Sequence, residues 1–181
     1  MPKGGCFCEA IAFQYEGDIQ GKVSAQSPQG HHPTMNADGY LYRRSAIAGK
    51  TSTNVLLASH QPLTRLPSDC QKITGSTYST NIIVPGDKFE VTKGTPKTIS
   101  KTADSGNKIT SHFCGDCGST LWRDGDSFGP SKVIKVGTLD DPKAFDDAKP
   151  AIELYAPERI SWVGSQKEAG QLKGMPGSEE V

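Results

Sequence analysis

The chain has 181 residues, with 20 Lys+Arg balanced by 20 Asp+Glu, a length that builds one ordinary domain with its own core. Its 20 Gly and 12 Pro mark a turn-rich chain, which excludes a helical bundle and favours short strands. No window approaches the roughly 18 apolar residues of a membrane span, the first residues carry no apolar secretion core, and no Lys/Arg block offers a face to nucleic acid or anionic membrane.

Taken in chain order, Ala10 to Tyr15 alternates in polarity and stops at Glu16-Gly17-Asp18, which predicts a strand and a turn. Ser79 to Val84 is β-branched and ends at Pro85-Gly86-Asp87, so a strand is expected there, with Phe89 to Thr92 as its hairpin partner. Lys97 to Lys101, Lys108 to Phe113, Thr120 to Arg123 and Lys132 to Val136 complete at least six short strands between Gly/Pro/Asp turns. This spacing predicts an antiparallel all-β domain. Helical signal is thin: one turn over Asp141 to Phe145 and one or two over Ser165 to Leu172.

Residues 23–67 differ in kind. Asp38, Arg43, Arg44, Lys50 and Arg65 are their only charges, three of the four histidines (His31, His32, His60) fall here, and neither a period of 2 nor one of 3.6 is visible. The stretch reads as an insertion, loop or disordered, within a single domain spanning 1–181. Its composition also fits translated non-coding sequence, a retained intron. Gly49-Lys50-Thr51 is not a phosphate loop, because Arg44 stands where that motif needs glycine.

Five cysteines in a chain read as cytoplasmic are expected to be metal ligands or redox thiols rather than disulfides. Cys6-Phe7-Cys8 and Cys114-Gly115-Asp116-Cys117 form a CxC plus CxxC set. Four thiolates complete a tetrahedral zinc shell, and Gly118 lets the backbone turn tightly behind the second pair. Cys6, Cys8, Cys114 and Cys117 are therefore the expected ligands of a structural zinc that ties the N-terminus to a late hairpin.

Around these cysteines stand the phrases Gly-Gly-Cys-Phe-Cys-Glu-Ala-Ile, Ser68-Asp69-Cys70-Gln71-Lys72-Ile73-Thr74-Gly75-Ser76, His112-Phe113-Cys114-Gly115-Asp116-Cys117-Gly118 and Gly137-Thr138-Leu139-Asp140-Asp141-Pro142. In order and combination they resemble the glutathione-dependent formaldehyde-activating enzymes, whose domain is shared with centromere protein V. The resemblance runs over Gly5 to about Tyr15 and Ser68 to about Pro176. It implies a β-tent of two antiparallel sheets with few helical turns, and structural zinc on the four cysteines already grouped. It also implies carbon–sulfur lyase activity on a thiol–aldehyde adduct such as S-hydroxymethylglutathione, with a second, catalytic zinc polarising the aldehyde oxygen or holding the thiol as thiolate. That second zinc needs three cysteines in a CHCxxC motif, and here only the last survives, as Cys70; Arg65, Leu66 and Pro67 occupy the preceding positions. Cys70 is the one residue carried over to the catalytic role, and also a possible metal ligand. The alternative is a non-catalytic, zinc-stapled binding domain or aberrantly spliced pseudo-enzyme.

A rebuilt site joining Cys70 to His31, His32 or His60 has no recognised ligand spacing. Lys72 is the cation nearest Cys70 in sequence. His112 reads as a hydrogen-bond donor to a metal-ligating residue or an ordinary strand residue. Trp122, Trp162, Phe89, Phe113 and Phe128 read as packing, and Asp140-Asp141 as a turn with a helix cap rather than a carboxylate pair. Chromatin association like that of centromere protein V would need a basic segment that this chain lacks.

Overall fold

A computed structural model of the chain describes residues 1–26, 69–103 and 106–181. It is mostly strand, in two sheets. The smaller sheet joins β1 (Lys3–Gly5), β2 (Ala12–Tyr15) and β5 (Phe89–Lys93) in that order, antiparallel throughout. The larger adds β3 (Gly21–Ala25), β4 (Ser79–Val84), β6 (Lys97–Thr102), β7 (Lys108–Phe113), β8 (Thr120–Gly125), β9 (Gly129–Lys135), β10 (Ile152–Leu154) and β11 (Gly170–Gln171). Its spatial order is β11-β10-β3-β4-β9-β8-β7-β6. All its pairings are antiparallel except two: β10 lies parallel to both β3 and β11. Only two short helices occur among the described residues, α1 (Asp69–Thr74) and α2 (Pro142–Asp147).

The core fills the space between the sheets. Strand alternation sends Phe13 and Tyr15 of β2, Ile82 and Val84 of β4, Trp122 of β8 and Ile134 of β9 into one cluster. Phe13 is the hinge of this packing. Its ring centroid lies 5.4 Å from that of Phe89 and 5.9 Å from that of Trp122, the latter edge-on at 70°, a favoured aromatic geometry. Gly4 permits the close approach of β1 to the loop after β9: a Cβ there would run into the Thr138 carbonyl oxygen and the Phe13 ring. On the other face of the large sheet, Val23, Ala25, Cys70 and Leu154 make a second, smaller cluster.

Several expectations need correction. Phe89–Lys93 does not pair with β4. The Pro85-Gly86-Asp87 turn instead hands the chain to the other sheet, where β5 pairs with β2, while β4 takes β3 and β9 as neighbours. No helix forms over Ser165 to Leu172; Gly170–Gln171 is β11. Trp162 is 74% exposed rather than packed. The first residues of the low-charge stretch, Val23 to Ala25, belong to β3 with all three side chains buried, and residues 27–67 lie outside the described residues, with His31, His32, His60, Arg65, Leu66 and Pro67 among them.

Candidate metal centre

Two loops bring the four cysteines together. In the first, the Cys6 amide donates to the Ile11 carbonyl at 3.0 Å and the Glu9 amide to the Cys6 carbonyl at 3.0 Å, with Glu9 held in the left-handed region at φ 59°. The Ile11 amide then points at the Cys6 sulfur, 3.3 Å away. In the second, the Gly118 amide closes the turn on the Cys114 carbonyl at 3.0 Å, and Gly118 sits at φ 78°, a conformation glycine adopts freely. Ser119 locks one loop to the other: its carbonyl accepts from the Cys114 amide at 2.9 Å and its hydroxyl from the Phe7 amide at 3.1 Å.

The Sγ atoms of Cys6, Cys8, Cys114 and Cys117 all lie within 4.8 Å of one another. Cys6 to Cys8 is 3.6 Å and Cys8 to Cys114 is 3.7 Å. Four sulfurs at about 2.3 Å from one zinc would stand about 3.8 Å apart, so the edges already present match that shell. Cys114 is fully buried, Cys6 nearly so and Cys8 exposed, as befits a centre lying between the core and the surface.

The electrostatics favour a cation. Hydrogen bonds from the Ser119 hydroxyl and amide bring the Cys117 thiol down to about 5. The Ala10 amide pulls Cys8 the same way, yet the sulfurs of Cys117 and Cys6 beside it prevail and push it up to about 12. Four touching thiols resist ionising together, and a divalent cation removes that conflict. These side chains could hold a metal ion.

Cys70 is placed elsewhere. It sits in α1, 6% exposed, and its Sγ accepts from Arg123 Nη1 at 3.8 Å. Arg123 also donates through Nε to Ser111 Oγ at 3.2 Å and through Nη2 to the Asp69 carbonyl at 3.5 Å, so the guanidinium clips α1 to the sheet. Lys72 is exposed, and the cation that reaches the sulfur is Arg123 on β8. Among the described residues Cys70 joins no group of three or more metal-ligating side chains. His112 stacks on Trp122 at 4.7 Å and bonds to Asp124 Oδ2 at 3.0 Å, a partner distinct from the cluster sulfurs. Asp141 is the N-cap of α2, its carboxylate accepting from the Lys143 amide at 2.9 Å.

Beside the cluster lies an open cavity of about 530 Å³, bounded by α1, β4, the turn before β8 and the end of β9. It is lined by Cys117, by several hydroxyl side chains and by Lys135. Ser119, Arg123 and Lys135 are thus the residues around the candidate site that sequence reasoning missed. Only Ser119, next after Cys-Gly-Asp-Cys-Gly, carried a local signal.

The fold and the four-thiol cluster define a mostly-β protein whose sheets meet at a potential metal centre. The family model for glutathione-dependent formaldehyde-activating enzymes matches residues 59–158, more than half of the 181-residue chain, and the chain belongs to that family. The match begins inside the low-charge stretch and leaves Cys6 and Cys8 outside it. No curated protein matches this chain.

Proposed function

We propose that this chain is a carbon–sulfur lyase of the formaldehyde-activating type, making or breaking the bond between a thiol such as glutathione and a small aldehyde carbon, as in S-hydroxymethylglutathione. The family match carries this reading. Cys6, Cys8, Cys114 and Cys117 are its structural zinc ligands, a choice supported by a donor set of four sulfurs at tetrahedral spacing. When bound to such an enzyme, a catalytic zinc supplies Lewis-acid polarisation of the aldehyde oxygen. The described residues offer that second ion one thiol, Cys70, and no step is routed through it. Cys70 is assigned the catalytic role, with Arg123 fixing its sulfur beneath α1. We read the chain as one domain, the low-charge stretch beyond the β3 residues Val23–Ala25 and up to residue 67 as its insertion, and the cytoplasm as its compartment, in keeping with five free thiols; no helix among the described residues is long and apolar enough to cross a membrane.

A second reading, a zinc-stapled binding domain without catalysis, is favoured by one observation: Cys70 has no companion ligands among the described residues. The two separate in one assay. Formaldehyde and reduced glutathione are mixed with the purified protein, and approach to the adduct equilibrium is followed by NMR exchange. The lyase reading expects faster exchange with wild type and a loss of at least about a hundredfold in Cys70→Ala. Exchange at the uncatalysed rate with zinc-replete wild type contradicts it and leaves the binding domain.

A further inference from the structure

Lys135, the last residue of β9, is 6% exposed. It faces away from the main core because its neighbour Ile134 faces inward. Its ammonium donates to Ser79 Oγ at 2.6 Å and to Asn81 Oδ1 at 2.8 Å, both neutral acceptors on β4. An ammonium has three donors, and the third has no partner among the described residues. The residue also lines the 530 Å³ cavity. Buried lysines are ordinarily matched by a carboxylate; this cavity wall contains no Asp or Glu among the described residues. The charges that act on Lys135 are Arg123 on β8, of the same sign, and the Cys70 sulfur on α1. Burial first, and the Arg123 charge next, bring its ammonium down to about 7, the behaviour of a cation held without a counter-ion.

From the buried ammonium of Lys135, which among the described residues meets only neutral acceptors and no carboxylate in a hydroxyl-lined cavity, we infer that this cavity binds a small carboxylate-bearing ligand whose carboxylate pairs with Lys135. Around the same space, the hydroxyls of Thr74 and Thr138 already donate to the Cys70 and Lys135 carbonyls at 2.6 and 2.7 Å and so can only accept from the polar remainder of such a molecule, while those of Tyr78 and Thr80 can donate or accept. A carboxylate entering the cavity uses the third ammonium donor in a charge-assisted bond, and relieves the cost of the buried cation. The inference rests on the lyase reading only for the ligand's identity as a thiol peptide; the anion site stands on Lys135 and the cavity alone.

Calorimetric titration of the full chain at pH 6.5 tests it with three probes: acetate, reduced glutathione and glutathione dimethyl ester, whose carboxylates are masked. Glutathione should bind at least about tenfold more tightly than its diester, one tenfold step corresponding to about 1.4 kcal/mol. Lys135→Met should abolish that preference and leave diester binding unchanged, with a thermal melt checking that it folds. Acetate binding lost in Lys135→Met, with no preference for glutathione, also supports the site and makes a free small carboxylate its source. Equal binding of acid and diester by wild type without acetate binding, or undiminished carboxylate binding by Lys135→Met, overturns it. Failure of the lyase reading looks different, as absent adduct exchange with these affinities intact.

Discussion

Arg159→Met should destabilise the protein by about 3–5 kcal/mol, and adding Glu153→Gln should restore most of that loss. Glu153 in β10 is 1% exposed. Its two oxygens accept from Arg159 Nε at 2.7 Å and Nη2 at 2.9 Å, a bidentate pair in low dielectric. Removing the arginine alone leaves a buried carboxylate held by the Gln26 side-chain amide and the Gln166 backbone amide, both at 3.4 Å, too distant to replace a guanidinium. Breaking a buried pair from one side typically costs about 3–5 kcal/mol, and at this chain length each kcal/mol moves Tm by about 2–4 °C. The expected fall is therefore about 6–20 °C. In the double variant no uncompensated charge remains, so its stability should return to within about 1–2 kcal/mol of wild type. Urea unfolding of the four proteins, followed by far-UV circular dichroism, closes the cycle. A double variant as unstable as the two single losses added together would refute the reasoning, because it would show that the pair is not coupled.

Other perturbations report on other parts of the fold. Phe13→Ala removes the 1% exposed ring that joins the sheets and should cost about 3–5 kcal/mol; a denaturant midpoint unchanged from wild type would contradict the described core. Gly4→Ala forces a methyl group against the Thr138 carbonyl and the Phe13 ring and should cost about 1–3 kcal/mol, read in the same melts, whereas Gly17→Ala fills open space and tests only the strain of its φ of 86°. Lys135 makes stability pH-dependent. Its ammonium lies near 7 when folded against 10.5 ordinarily, so from about pH 7 to about 10.5 the unfolded chain binds a proton that the folded chain has released. Stability therefore rises with pH across that window. Arg123 and Cys70 are the groups that act on it. The stability advantage of Lys135→Met over wild type should be largest below pH 7 and shrink as pH rises; a constant difference from pH 6.5 to 9.5 would contradict the burial of a lone cation.

The sequence spoke most clearly where a single strand carried its own signal. Ser79–Val84 and Lys108–Phe113 form over the predicted residues because β-branched runs end there at strong turn residues or at Cys114. The hairpin expected after Pro85-Gly86-Asp87 failed for a non-local reason: Phe89 is held against Phe13 and Trp122, a contact that no local pattern could weigh against turn propensity. β10 escaped notice and β11 was read as helix because their two or three residues show no strand period; Arg159 joins the two strands, bonding Glu153 in β10 and Gln171 in β11. The four cysteines of the candidate centre were legible because ligand spacing is itself a local signal. Arg123 and Lys135 were not, because a cation in a strand reads as solvent-facing until the fold shows which face α1 covers.

Zinc content per chain, measured by elemental analysis on protein purified without added metal, bears most directly on the central claim that Cys6, Cys8, Cys114 and Cys117 form one metal centre. Three proteins suffice: wild type, the Cys8→Ser/Cys117→Ser double variant and Cys70→Ala. The account predicts that the double variant loses one zinc per chain relative to wild type, while Cys70→Ala keeps that zinc. Wild type without zinc, or a double variant that retains the full wild-type amount, would contradict it.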